Sequence, residues 1–280
     1  MEAITGTAAG VPFTALPPTT PADGPAPLIV TWHMLDAPRT DAAFAAALPM
    51  MGVPAWRVHL GMPMCGARTP EGGIEAIIEL ARTDALTAFL APIAQQAADE
   101  FPAALAALRD QLPVSDAPIG ILGGSLGGTV ALEVLTRDQA PIGAVALVNP
   151  AVRIEPVVEL VGPQMTGSDE PYAWTAESRT AAGELDFVAR AGEISAQPPV
   201  LLVSGELDHP ALRTDAAALA GALRERHANP DEVELRTVPD LAHPLADEPG
   251  LEPAPQRPAT AVVDEILTQW FLRRLCPGVR

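Results

Sequence analysis

The chain contains no lysine, so every basic residue in it is an arginine. Its 17 arginines are outnumbered by 35 aspartates and glutamates, which gives a formal net charge of −18 at pH 7. A surface with this balance repels polyanions, which argues against nucleic acid as a partner. Long apolar runs are also missing, and the N-terminal residues lack the basic start and apolar stretch of an export signal. We therefore expect a soluble, cytoplasmic protein that does not bind membranes.

Cysteine is almost as scarce as lysine, with one thiol at Cys65 and one at Cys276. Two cysteines so far apart form no disulfide framework and no metal-ligand spacing. We interpret both as free thiols and expect no metal site.

Short apolar segments alternate with helix-like stretches along most of the 280 residues. The strand-like segments follow one hairpin arm at 10–16 and lie at 28–32, 55–60, 118–122, 144–148, 200–203 and 233–238. The helix-like stretches lie at 41–51, 84–112, 126–137, 212–227 and 259–275. Strands that alternate with helices are joined by right-handed crossovers and form a mainly parallel sheet. This pattern predicts one α/β domain over residues 1–280.

Two segments interrupt the alternation. Residues 151–198 lie between two predicted strands and contain Trp174 and a helix-like run over 175–191, which predicts a small helical cap inserted into the domain. Residues 61–73 are irregular, contain Met62 and Met64, and follow the second core strand. Both segments should lie at the carboxyl edge of the sheet, where open α/β sheets bind ligands. We therefore expect Met62, Met64 and Trp174 to line a substrate pocket.

One serine lies between glycines where an apolar strand must turn into a helix. The segment Gly123-Gly124-Ser125-Leu126-Gly127 fits the pattern G-x-S-x-G, in which a sharp turn exposes the central side chain. Residues two positions to either side of that serine are crowded where strand and helix cross, and here both are glycines. The pattern predicts that Ser125 is a nucleophile.

A serine hydroxyl is a weak nucleophile at neutral pH, so it needs a histidine to take its proton and a carboxylate to orient that histidine. Asp208 follows the strand-like segment 200–203, with Glu206 as the alternative acid. His243 follows the last predicted strand and precedes the final helix. The order serine, acid, histidine favours Asp208 and His243 over the remaining candidates, His33, His59, His209 and His227.

Attack on an acyl carbon places negative charge on its oxygen, which two backbone N–H groups should stabilise. Leu126, directly after Ser125, is expected to supply one of them. The other should come from the loop after strand 28–32, where we favour Leu35, with Met34 as the second choice. His33 in the same loop is expected to hydrogen-bond and stiffen it.

In these residues the chain resembles the α/β-hydrolase superfamily, from about Leu28 to Leu275. The resemblance lies in the nucleophile turn 123–127, the acid loop 205–208 and the Ala242-His243 pair. It implies a mostly parallel eight-stranded sheet flanked by helices, an N-terminal hairpin, a helical cap after the sixth strand, and no cofactor. The family has a His-Gly pair after its third strand, and Met34 stands here in place of the glycine.

Superfamily membership leaves several reactions open. A serine nucleophile favours acyl transfer to water through an acyl-enzyme intermediate, because dehalogenases and epoxide hydrolases carry aspartate at that position. The low aromatic content, 4%, and the aliphatic neighbourhood predict a carboxylic ester with a small to medium acyl group. Thioester hydrolysis, cofactor-free perhydrolysis and non-catalytic binding of a small ligand are the alternatives.

Overall fold

An eight-stranded sheet runs through the described part of the chain, residues 2–19, 24–166 and 170–277 of a computed structural model. Its strands are β1 (Ile4–Ala8), β2 (Val11–Leu16), β3 (Leu28–Trp32), β4 (Trp56–Leu60), β5 (Ile119–Gly124), β6 (Ile142–Val148), β7 (Val200–Gly205) and β8 (Val233–Val238). Their spatial order is β1-β2-β4-β3-β5-β6-β7-β8.

All pairings from β4 to β8 are parallel, and only the hairpin β1-β2 and its junction with β4 are antiparallel. Strands β3, β4, β5 and β7 are buried along their whole length, because helices cover both faces of the sheet. The predicted α/β class, with a mostly parallel eight-stranded sheet, is therefore confirmed.

Eight α-helices surround the sheet in the described residues. They are α1 (Asp41–Ala47), α2 (Gly73–Thr83), α3 (Ala91–Gln111), α4 (Leu126–Thr136), α5 (Ile154–Thr166), α6 (Ala176–Glu184), α7 (Pro210–Arg224) and α8 (Pro258–Leu275). Helices α1 and α8 share one apolar core with one face of the sheet, whereas α2, α3, α4 and α7 share the larger core with the other. Within the described ranges, no helix is long and apolar enough to cross a membrane.

Two helix predictions differ from the structure at their ends. The stretch predicted as one helix over 84–112 begins as a π-helix, Ala85–Leu90, which continues directly into α3. Asp84 starts this element because its carboxylate accepts hydrogen bonds from the N–H groups of Leu86 and Thr87. Helix α1 ends at Ala47 instead of residue 51, since Pro49 follows two residues later and Met50 has a φ of 44°.

The inserted segment 151–198 is helical in the residues that the structure describes, while residues 167–169 lie outside them. The predicted single run over 175–191 is wrong: α6 ends at Glu184, and a short 3-10 helix covers Ala189–Glu193. Between the two helices, Leu185 and Phe187 are fully buried in the larger core. The helix is interrupted there because both side chains pack into that core. That this segment works as a cap over the site remains our proposal.

Two histidines lie inside the core of the sheet, and burial lowers the pKa of both. His59 on β4 is fully buried beside Thr31, whose hydroxyl is 2.8 Å from its Nδ1, and its pKa falls to about 3 because burial disfavours the charged ring. His33 directly after β3 is equally buried, and its pKa falls to about 4 for the same reason. Both rings are neutral in the folded protein at neutral pH.

These two histidines predict a loss of stability on acidification. Below a pH of about 6.5, His33 and His59 become protonated in the unfolded chain but stay neutral in the folded chain. The free energy of unfolding therefore falls as the pH drops toward 4. His33 alone contributes a loss of about 3 kcal/mol across that range. Urea unfolding at a series of pH values measures it. His59→Asn keeps a polar group near Thr31 but removes one titrating ring, so its slope below pH 6.5 should be shallower.

Above a pH of about 7.5 both histidines are neutral in the folded and unfolded chains, so the two curves should run parallel there. Equal slopes at low pH in wild type and His59→Asn would contradict the assignment.

Candidate active site

The turn between β5 and α4 forces the backbone of Ser125 into an unusual conformation, with φ 48° and ψ −120°. Only glycine fits two positions before Ser125, at Gly123, and two positions after it, at Gly127. A Cβ added at Gly123 would lie 2.1 Å from the carbonyl oxygen of Gly127, and one at Gly127 would lie 2.3 Å from that of Trp32. Strand and helix therefore cross in backbone contact, and the serine is held at the start of α4.

Ser125, His243 and Asp208 lie in hydrogen-bonding contact although they are far apart in sequence. His243 Nε2 is 2.9 Å from Ser125 Oγ, and His243 Nδ1 is 2.8 Å from Asp208 Oδ1. Asp208 follows β7 and His243 follows β8, so the carboxyl ends of parallel strands bring them to the same edge as the serine. The three residues selected from chain order thus meet in space.

The hydrogen bonds fix the state of the imidazole. A carboxylate only accepts, so Nδ1 of His243 carries the hydrogen and Nε2 accepts from the serine hydroxyl. All three side chains are less than a tenth exposed. Asp208 Oδ1 also accepts the N–H of His209 at 2.6 Å, which holds the carboxylate toward the ring.

Asn149, which the sequence reasoning missed, holds the acid and histidine loops together. It follows β6, and its Nδ2 donates to the carbonyls of Ala242 and His243 at 2.9 and 3.1 Å. Its Oδ1 accepts the N–H of Gly205 at 2.7 Å. The only signal in the sequence was a polar residue directly after a buried strand and directly before a proline.

Asp36 is a second residue that the sequence reasoning missed. Its Oδ2 lies 3.4 Å from His243 Nε2, the same nitrogen that contacts Ser125, and its side chain is 41% exposed. It follows Leu35 in the loop where the second oxyanion donor was expected, so a negatively charged group faces the site from this loop.

The loop after β3 is stiffened by His33, as the sequence predicted. The N–H of Met62 donates to His33 Nε2 at 3.1 Å, so the ring hydrogen is on Nδ1, which donates to the carbonyl of Met34 at 2.7 Å. Met34, in the place of the family's glycine, is fully buried in the smaller core. No hydrogen bond within the described residues engages the N–H of Leu35, and Leu126 begins α4 with an N–H that has no helical partner.

A cavity of about 590 Å³ has Leu35 and Asp36 in its wall, and it adjoins the site through Asp36, although Ser125, Asp208 and His243 themselves do not line it. Most of the other lining residues are apolar, including Met64, Ile74, Ile77, Phe89, Val161 and Leu251. Cys65 also lines it, and burial raises the pKa of its thiol to about 12, so this cysteine stays protonated.

Two of the three residues predicted for the pocket lie elsewhere. Met62 is fully buried in the larger core, because its neighbour Gly61 continues directly from β4 and turns the side chain inward. Trp174 lines a separate hollow with Arg153 and Asp186, where it packs edge to face on Tyr172 with ring centroids 4.8 Å apart. Of the three residues, only Met64 lines the cavity, and the predictions that Met62 and Trp174 line it are wrong.

The side chains of the remaining histidines and of the alternative acid take no part in the hydrogen bonds that join Ser125, His243 and Asp208. Glu206 is exposed, and Nε2 of His227, a residue just after α7, donates to the carbonyl oxygen of Gln197 at 2.7 Å. His209 packs its ring 5.7 Å from that of His243 without a hydrogen bond between them. Among the described residues, no group of three or more histidines, cysteines or carboxylates is arranged to hold a metal ion.

A serine at a strained strand-to-helix turn, on a mostly parallel eight-stranded sheet, defines a serine hydrolase of the α/β-hydrolase superfamily. The sequence profile of the prolyl oligopeptidase family, Peptidase_S9, matches residues 91–260, and the chain belongs to this family. No curated protein matches the sequence.

Solved structures share the fold at low sequence identity. TT1662 from Thermus thermophilus is 16% identical with a TM-score of 0.63, and the match covers 100% of both chains. Pyrococcus horikoshii acylaminoacyl peptidase is 14% identical with a TM-score of 0.63; the match covers 100% of this chain but 42% of the peptidase. Carboxyl esterase 2 from the fungus Tuber melanosporum is 16% identical with a TM-score of 0.59, over 98% of this chain and 87% of the esterase.

Proposed function

We propose that the protein hydrolyses carboxylic esters of small to medium acyl chain, with Ser125, His243 and Asp208 as the catalytic triad. The observation that carries the proposal is the pair of contacts at Nε2 and Nδ1 of His243, 2.9 and 2.8 Å, beside an apolar cavity. An activated hydroxyl next to an apolar cavity suits an ester whose acyl chain is aliphatic.

The mechanism follows from the contacts. Ser125 attacks the ester carbonyl carbon while its proton passes to Nε2 of His243, and Asp208 stabilises the resulting imidazolium. The N–H groups of Leu126 and Leu35 donate to the oxyanion. The imidazolium then protonates the leaving alcohol, which departs and leaves an acyl-enzyme. Water that loses its proton to His243 attacks this ester, and release of the acid restores the serine.

The shape and lining of the cavity support the choice of acyl group. Its wall is mostly aliphatic, and its other side chains are the phenyl ring of Phe89, the polar groups of Cys65 and Thr69, and the charged groups of Asp36, Arg39 and Glu248. Burial of each methylene of an acyl chain against such a wall contributes about 0.8 kcal/mol. The kcat/KM for straight-chain esters should therefore rise with chain length until the cavity is filled.

A panel of 4-nitrophenyl esters from acetate to laurate tests this proposal. We expect kcat/KM to rise about fourfold per methylene over the first members and then to fall. Ile77→Trp places a larger side chain in the cavity wall, so the optimum should shift to shorter chains. A flat profile in wild type and variant would contradict the assignment of this cavity to the acyl group.

Peptide bonds are the second candidate, which the family match and the acylaminoacyl peptidase fold favour. The same acyl groups linked to 4-nitroaniline give the amide counterpart of each ester. We expect the esters to be cleaved and the anilides to be cleaved far more slowly. Anilide turnover that equals ester turnover would assign the protein to peptide hydrolysis instead.

The remaining alternatives have assays of their own. Acyl-CoA substrates test thioester hydrolysis, and peroxide-dependent halogenation tests perhydrolysis. A fluorophosphonate probe tests the non-catalytic alternative, because only an activated serine is labelled. We expect labelling of one peptide, the one that contains Ser125.

A further inference from the structure

The carboxylate of Asp36 lies next to the reacting atoms without a cationic partner among the described residues. Its Oδ2 is 3.4 Å from His243 Nε2, and Ser125 Oγ is 2.9 Å from the same nitrogen, so the two oxygens lie within about 6 Å of each other. The side chain is 41% exposed and forms part of the cavity wall, where a bound substrate reaches it.

The nearest positive charge in the cavity is already paired. Arg39 lines the same cavity, but its Nη2 lies 2.6 Å from Glu248 Oε2. The cavity therefore carries two carboxylates and one guanidinium, and the charge of Asp36 is left uncompensated. His243 also faces Asp208 through Nδ1 and the ring of His209, with the centroids 5.7 Å apart, and neither group offsets the charge of Asp36.

This position has no evident structural purpose. While His243 is neutral, its Nε2 presents a lone pair, and a carboxylate beside a lone pair is repelled, not hydrogen-bonded. The contact becomes favourable when Nε2 takes the proton of Ser125 during the reaction, and it becomes favourable before that step only when a positive charge enters the space that the cavity offers to the substrate.

We propose that Asp36 sets the charge specificity of the enzyme by binding a cationic nitrogen that the ester carries within a few bonds of its scissile carbonyl. This inference rests on the proposed ester hydrolysis. A cationic nitrogen that pairs with Oδ2 by charge is close enough to Ser125 for such a substrate to place its carbonyl on the serine. Esters with a carboxylate or phosphate near the carbonyl should be poor substrates, and the net charge of −18 adds a long-range repulsion.

The cationic nitrogen can belong to the acyl part or to the alcohol part, and isosteric pairs separate the two. Ethyl betaine and ethyl 3,3-dimethylbutanoate differ only by nitrogen or carbon in the acyl part. Butyrylcholine and 3,3-dimethylbutyl butyrate differ in the same way in the alcohol part. Titration of the released acid gives kcat/KM for all four esters, and comparison between variants cancels their intrinsic reactivities.

In at least one pair, we expect Asp36→Asn to lower the ratio of cationic to neutral kcat/KM by about tenfold, and Asp36→Glu to retain part of the wild-type ratio. The pair that responds identifies the part of the substrate that Asp36 contacts. Asp247→Asn is the matched control: it removes the same charge from a side chain that is 88% exposed and forms an ion pair with Arg257 at 3.6 Å. Its ratios should equal those of wild type.

Equal ratios in wild type and Asp36→Asn for both pairs would overturn the role of Asp36 while leaving ester hydrolysis intact. A wild-type protein that cleaves none of the four esters would overturn the proposed function and, with it, this inference. Wild-type cleavage with a ratio that drops in Asp36→Asn but not in Asp247→Asn supports both.

Discussion

Replacement of Ser125 by alanine is expected to lower kcat for ester hydrolysis by about four to six orders of magnitude. The change removes the atom that forms the acyl-enzyme, and the oxyanion donors alone retain only a small part of the rate enhancement. The fold should survive, because among the described residues the hydroxyl of Ser125 is hydrogen-bonded to His243 alone. Initial rates with a nitrophenyl ester and circular dichroism of the same preparation measure the two effects.

Ser204→Ala is the matched control for this experiment. Ser204 lies near the end of β7 and is 6% exposed, the same fraction as Ser125, but within the described residues it makes no hydrogen bond to His243. Its replacement should leave kcat within about twofold of wild type. If Ser125→Ala and Ser204→Ala had equal rates, Ser125 would not be the nucleophile.

The double variant Ser125→Ala/His243→Ala gives a sharper test, because residues that act as one unit are not additive. The histidine has no proton to take once the serine is gone, so the second change should lower kcat very little beyond the first. Independent contributions would instead multiply. Multiplicative losses would show that the two side chains do not act on the same proton.

The sequence predicted the sheet well because buried strands have a distinctive composition. The bounds of β3 and β8 match the predicted segments, and both are short apolar or alternating runs that end in turn residues. Helix α2 was not predicted at all: it begins at Gly73, directly after Gly72, at the end of a segment that its glycines marked as irregular. Local sequence patterns thus identify those helices and strands whose conformation does not depend on packing against distant parts of the chain.

The site residues divide in the same way, into those that the strand order places and those that the conformation of a loop places. Chain order selected Ser125, Asp208 and His243, because the ends of parallel strands must meet at one edge. Asn149 and Asp36 act on residues 94 and more than 200 positions away, through loops whose conformation no local pattern encodes. Trp174 was wrongly predicted to line the pocket for the same reason. The path of the inserted segment depends on which of its apolar residues are buried in the core.

The second large effect is expected at Gly123, where alanine should destabilise the fold by about 3 kcal/mol or more and abolish activity. The added Cβ would lie 2.1 Å from the carbonyl oxygen of Gly127, and backbone atoms at that distance cannot move aside as a side chain does. Relief requires β5 and α4 to separate, which moves Ser125 away from His243.

Gly221→Ala provides a contrast with the same change in chemical composition. Gly221 lies inside α7, and a Cβ there meets nothing within 4 Å. Alanine is the better helix former, so this variant should gain about 0.5 to 1 kcal/mol. Urea unfolding of the two variants should therefore shift the midpoint in opposite directions. A Gly123→Ala protein as stable as wild type would mean that strand and helix are not in backbone contact, and the strained turn that exposes Ser125 would lose its structural basis.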